Sequence, residues 1–72
     1  MDDKYEVPGL ARALRETKGG ALIVEVTADD GGTEELCIPQ SQVHENSEVW
    51  KPGDEGTLVV TGWLARQREW ME

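Results

Sequence analysis

His44 is the chain's one histidine, and Ser41 and Ser47 flank it in an acidic stretch, so a hydrolase-like trio can be drawn on paper. Acyl transfer also needs a strained nucleophile turn and an oxyanion hole, and nothing around either serine resembles a nucleophile elbow. His44 is therefore expected to be a solvent-exposed loop residue. Cys37 has no second thiol for a disulfide or redox pair, and one cysteine with one histidine cannot close a structural zinc site. It is expected to act as a small buried or half-buried hydrophobe between Leu36 and Ile38. Asp29, Asp30, Glu34 and Glu35 flank a glycine turn and offer hard oxygen ligands, but their spacing does not match a calcium loop; they read as solvated turn acids. Paired carboxylates for glycoside cleavage would need an apolar-walled groove that a chain this short lacks. No glycine run ends in the lysine and hydroxyl residue of a phosphate loop. The expectation is a protein with no catalytic residues, no cofactor and no metal.

Charge distribution is more informative. Residues 25–55 hold nine acids (Glu25, Asp29, Asp30, Glu34, Glu35, Glu45, Glu48, Asp54 and Glu55) against one base, Lys51. The flanks balance six acids with six bases, so the formal net charge of -8 belongs to the middle of the chain. Like charges at this density repel one another, and a segment that keeps them keeps them for a partner or for solubility. The same excess argues against phosphate backbones and anionic membranes, both of which select basic stripes. With 72 residues the chain makes one small domain with a thin core, expected to be anchored by Trp50, Trp63 and Trp70. No signal peptide or apolar run of membrane length is visible, which leads to the expectation of a soluble, cytoplasmic protein.

The elements that must position these acids are short. Residues 1–9, MDDKYEVPG, are polar, end in Pro-Gly and offer only Tyr5 and Val7 as anchors, which predicts a loose arm before a single domain over 10–72. Leu10 to Thr17 fits a helix, with Pro8 ahead and Gly19-Gly20 behind, or equally the first arm of a hairpin. Ala21 to Thr27 alternates as a strand, with Leu22, Val24 and Val26 on one face and Ile23, Glu25 and Thr27 on the other. Asp29-Asp30-Gly31-Gly32 is a tight turn, after which Glu34 to Ile38 returns with Leu36 and Ile38 inward. Pro39 ends that ladder. Gln40 to Ser47 is expected to be irregular or a single helical turn, with Val43 its sole buried side chain.

Glu48 to Lys51 is predicted as a short strand carrying Val49 and Trp50, Pro52 to Gly56 as a turn, and Thr57 to Val60 as a strand. Thr61 is the N-cap of a terminal helix whose apolar stripe comprises Trp63, Leu64, Trp70 and Met71, with Gln67 at the same spacing. Together these elements predict a mainly β fold: a small curled antiparallel sheet, or a partly open SH3/OB-like barrel, of about four or five strands with a C-terminal helix.

Three runs, RETKGGALIVEV, CIPQSQVHENSEVW and KPGDEGTLVVTGWLA, resemble a group of small uncharacterised proteins found mostly in bacteriophages, prophages and related mobile elements. The matching positions are Ile38, Pro39, Ser41, Gln42, Ser47, Glu48, Val49, Trp50, Gly53, Asp54, Gly56, Leu58, Val59 and Val60, within a stretch that covers about two thirds of the chain. The chain departs from the pattern at Cys37, where an aromatic is usual, and at Gly19-Gly20. The resemblance implies a phage-type origin and a sheet-forming Arg15 segment, and it carries no activity. Its motifs read as architectural: Ser41 satisfies backbone donors of the next turn and Trp50 packs inward.

The function expected is that of a non-catalytic protein-binding factor. Its nine central acids would imitate phosphate spacing and occupy the basic nucleic-acid-binding surface of a host defence complex such as a CRISPR effector. Acids kept only for solubility would give the same composition. A reading from another class binds nucleic acid or a replication complex through Arg12, Arg15, Lys18, Arg66 and Arg68, but the chain has no phenylalanine and one tyrosine for base stacking. A structural homodimer through the helix face is a third.

Overall fold

A computed structural model describes residues 3–70. Its elements are β1 Lys4–Glu6, β2 Leu10–Glu16, β3 Ala21–Thr27, β4 Thr33–Pro39, a 3-10 turn Gln40–Gln42, β5 Glu55–Gly56, β6 Val59–Thr61 and α1 Gly62–Gln67. Four strands form an antiparallel sheet in the order β4-β3-β2-β5, and β1 pairs with β6 in a second, two-stranded sheet. The sheets do not close into a barrel. This is the small curled antiparallel architecture that the alternation predicts, with six strands among the described residues rather than four or five.

Local chemistry sets the two hairpins. Between β2 and β3 the chain reverses over Lys18-Gly19-Gly20, where Gly20 takes a φ of +85° and the Thr17 hydroxyl accepts the Ala21 amide at 3.1 Å. The Leu10 segment is thus a strand. Between β3 and β4, Gly31 takes a φ of +86° and Asp30 Oδ1 accepts the Gly32 amide at 2.8 Å, the side-chain turn mimicry that favours aspartate there. The β2 register slips between Ala13 and Arg15, leaving Leu14 as the extra residue of a bulge.

The core is aliphatic. Ala11, Ala13, Leu22, Val24 and Ile38 from the large sheet meet Val43, Val49, Leu58, Val60, Leu64 and Ala65 from the rest of the chain. Leu22, Ile38, Leu58, Val24, Val49 and Val60 are fully buried, each contributing about 1.5–3 kcal/mol of apolar transfer.

That core leaves no room for the expected tryptophan anchors. Trp50 is 42% exposed and Trp63 56% exposed, while Trp70 packs at the margin, stacked on Tyr5 with ring centroids 5.8 Å apart. Helix α1 buries Leu64 and Ala65 instead of Trp63, and Met71 lies outside the described residues. Thr61 caps the helix as expected, its hydroxyl accepting the Leu64 amide.

The N-terminal segment is likewise not a loose arm over its described part. Lys4–Glu6 pairs with β6, Val7 is buried, and the Asp3 carbonyl accepts the Gly62 amide. Residues 1–2 of that segment lie outside the described residues. The Glu48 to Lys51 strand is also absent: the segment is a loop tied to its own neighbours.

Candidate functional site: an unpaired carboxylate face

In an antiparallel ladder, directly opposed residues share a face. Reading the register across the large sheet, Glu35 on β4 opposes Glu25 on β3, Glu25 opposes Arg12 on β2, and Arg12 opposes Glu55 on β5. These side chains form one row on the face opposite the core, spanning about 14 Å at about 4.8 Å per strand. Leu10 and Thr27 lie beside the row toward the hairpin tip, and Arg15, Ile23 and Cys37 toward the other end. Among the strand residues of this face only Ile23 is buried, while Leu10 and the bulge residue Leu14 are 50% and 40% exposed.

The tip adds more negative charge. Asp29 and Asp30 sit in the turn, and Glu34 opposes Val26 on the inner side of the sheet, exposed near the end of the strands. Alternation therefore sends Glu34 and Glu35 to opposite faces. Among the described residues no three histidine, cysteine, aspartate or glutamate side chains group as metal ligands. The one ion pair among the described residues joins Arg66 to Asp3 at 3.2 Å, so no salt bridge there neutralises any of the nine central acids. Glu25 and Glu35 stand directly opposite each other, a like-charge pairing that destabilises a sheet by about 0.2–1 kcal/mol, and among the described residues Arg12 on the other side of Glu25 closes no ion pair with it.

The remaining acids divide by environment. In the loop between Ser47 and Thr57, Glu48 Oε1 accepts the Thr57 amide at 2.8 Å, and its side chain lies where a Cβ on Gly56 would come within 2.7 Å of it. Asp54 Oδ2 accepts the amides of Trp50 and Lys51 at 3.0 and 3.1 Å, and these two bonds, Trp50 first, hold its carboxyl below the ordinary value of 3.8. Ser47 Oγ is the buried hub: it accepts the Val49 and Val59 amides at 3.1 Å each and donates to the Val49 carbonyl. Trp50 donates its indole N–H to the Ser47 carbonyl at 2.8 Å, which holds the ring at the surface rather than in the core.

Glu48 and Asp54 thus serve the fold. Glu45 stands apart from both groups, beside the first turn of α1. What the structure brings together from the expected acids is Glu25, Asp29, Asp30, Glu34 and Glu35 on one hairpin, with Glu55 at the far end of the row.

His44 corrects another expectation. It is buried, its amide donates to the Val59 carbonyl and its Nδ1 accepts the Asn46 amide, which assigns that nitrogen as an acceptor. Ser47 is committed to main-chain groups, and the capping role expected of Ser41 belongs to Ser47 instead. Cys37 is exposed, its strand partner Ile23 being the buried residue. The five flank bases do not make a stripe: Arg66 is paired with Asp3, Arg68 donates to the Cys37 carbonyl at 2.6 Å, Arg12 is bracketed by Glu25 and Glu55, Arg15 opposes Ile23 on the outer sheet face, and Lys18 sits in the β2–β3 turn.

Leu10, Arg12, Leu14 and Arg15 share this face, which their alternation alone does not reveal. Their placement needs the hairpin register and the bulge, and the Gly19-Gly20 turn is the signal from which the register could be counted. No family model matches the chain, and no curated protein or solved structure matches it. Among the described residues no helix is long and apolar enough to cross a membrane.

Proposed function

We propose that the chain is a non-catalytic binding factor of phage type, acting in the cytoplasm of a bacterial host. Its outer sheet face substitutes for nucleic-acid phosphates on the basic surface of a host defence protein. The observation that carries this reading is the opposed Glu25–Glu35 pair: two carboxylates held side by side on a rigid ladder, Arg12 opposite Glu25 forming no ion pair with either among the described residues. A basic groove would relieve that repulsion on binding. A net charge of -8 steers such a partner from a distance, and the exposed Leu10 and Leu14 beside the row give it apolar contact once docked.

Capture from a bacterial lysate tests the reading. A retained basic protein should be released by duplex DNA, and by raising salt from about 0.05 to about 0.5 M as screening shortens. The chain carrying Glu25→Gln, Asp29→Asn, Asp30→Asn, Glu34→Gln and Glu35→Gln should lose it. Capture that survives the five substitutions, or that duplex DNA does not displace, would overturn the proposal. Labelled DNA and RNA should show no retarded complex with the chain itself at about 0.15 M salt.

A further inference from the structure

Across the core from the carboxylate face lies a shallow cleft of about 400 Å³ between the His44–Glu45 segment and the first turn of α1. Val43 and Gly62 are its buried residues of apolar character, and Asp3, Glu45, Trp63 and Arg66 are its exposed ones. Trp63 is the most exposed of the large hydrophobic side chains at 56%, although helical spacing predicts it in the core. Arg66 is engaged by Asp3 at 3.2 Å. Among the described residues Glu45 forms no ion pair, and the cleft lines it up with the Trp63 ring in a chain of net charge -8, while Arg66 there is taken by Asp3.

The geometry points to a binding site for an arginine side chain of a partner protein. The Trp63 ring attracts a guanidinium to its face, Glu45 supplies the counter-charge, and the floor of the cleft at Gly62 is already covered by Asp3 and Arg66, which leaves the Trp63 side for the arginine stem. Arginine fits better than lysine because its planar, weakly hydrated head stacks on an indole while still donating to a carboxylate. An anionic ligand is disfavoured by the same charges. The inference does not depend on the carboxylate face, which lies on the other side of the sheet.

A nuclear magnetic resonance titration of the full chain decides it, using N-acetyl-arginine amide and, as the uncharged comparator, N-acetyl-leucine amide. The arginine probe should shift the Trp63 indole N–H and the Gly62 amide, and bind at least about five-fold tighter than the leucine probe. Trp63→Ala and the surface change Glu45→Gln should each weaken it by about five-fold or more. Equal shifts with both probes, no shift at either resonance, or unchanged binding by Glu45→Gln would overturn the inference. So would shifts at Trp63 that depend on protein concentration without any probe, since the occupant would then be a second copy of the chain.

Discussion

In the β3–β4 hairpin, Glu25 and Glu35 face each other across the ladder with no cation between them. In the loop from Ser47 to Thr57, by contrast, Glu48 and Asp54 each accept main-chain amides. Both regions are acidic, and composition alone treats them alike. The difference is what each carboxylate replaces. In the loop it satisfies donors that no strand ladder reaches, so the charge supports the fold. On the hairpin the ladder satisfies the main chain by itself, and between Glu25 and Glu35 the charge brings repulsion that no main-chain bond returns, with Arg12 as the neighbour of Glu25 alone. A carboxylate held where the fold does not use it is the better candidate for a partner's use.

Substitutions can break or sharpen that contrast. The largest effect should come from Ser47→Ala, which strands the buried Val49 and Val59 amides; a loss of about 2–4 kcal/mol in urea unfolding is expected from two orphaned donors. Ser41→Ala, with an exposed side chain, should stay within about 0.5 kcal/mol. Glu48→Ala removes the acceptor of the Thr57 amide and should cost about 1 kcal/mol. Were it neutral, the loop acids would be no more structural than those of the hairpin.

Asp54 gives the contrast a pH dependence. Its folded-state carboxyl sits below the ordinary value of 3.8, so its contribution is present above that value and is lost as pH falls through the lowered one. Urea midpoints followed from about pH 6 to about pH 3 should therefore fall more for the native chain than for Asp54→Ala. Parallel curves would remove Asp54 from the supporting set.

Much of the large sheet was legible because its signals are local. The alternation of Ala21 to Thr27 and the Asp30-Gly31 turn need only neighbours in sequence, and Thr61 announces the helix from a position directly ahead of it. β1 was not legible, because Lys4–Glu6 becomes a strand only by pairing with Val59–Thr61 at the other end of the chain. Tryptophan burial failed for a different reason: the space between the layers is filled by valine, leucine, isoleucine and alanine, and the Ser47 carbonyl draws the Trp50 indole outward. The nine acids were visible as a cluster, but their division into supporting and unpaired groups depends on register and on contacts between the loop and β6. The same loop gathers Ser47, Glu48, Val49, Trp50, Gly53, Asp54 and Gly56, which gives a physical reason for that spacing of residues: each packs, caps or turns the others.

The most direct measurement is the urea stability of Glu35→Gln against the native chain at low salt. The expected result is a gain of about 0.2–1 kcal/mol, as one of two opposed charges is removed. That gain should shrink as salt is added. A loss of stability would show that Glu35 holds the hairpin together, and would contradict the reading of its charge as kept for a partner.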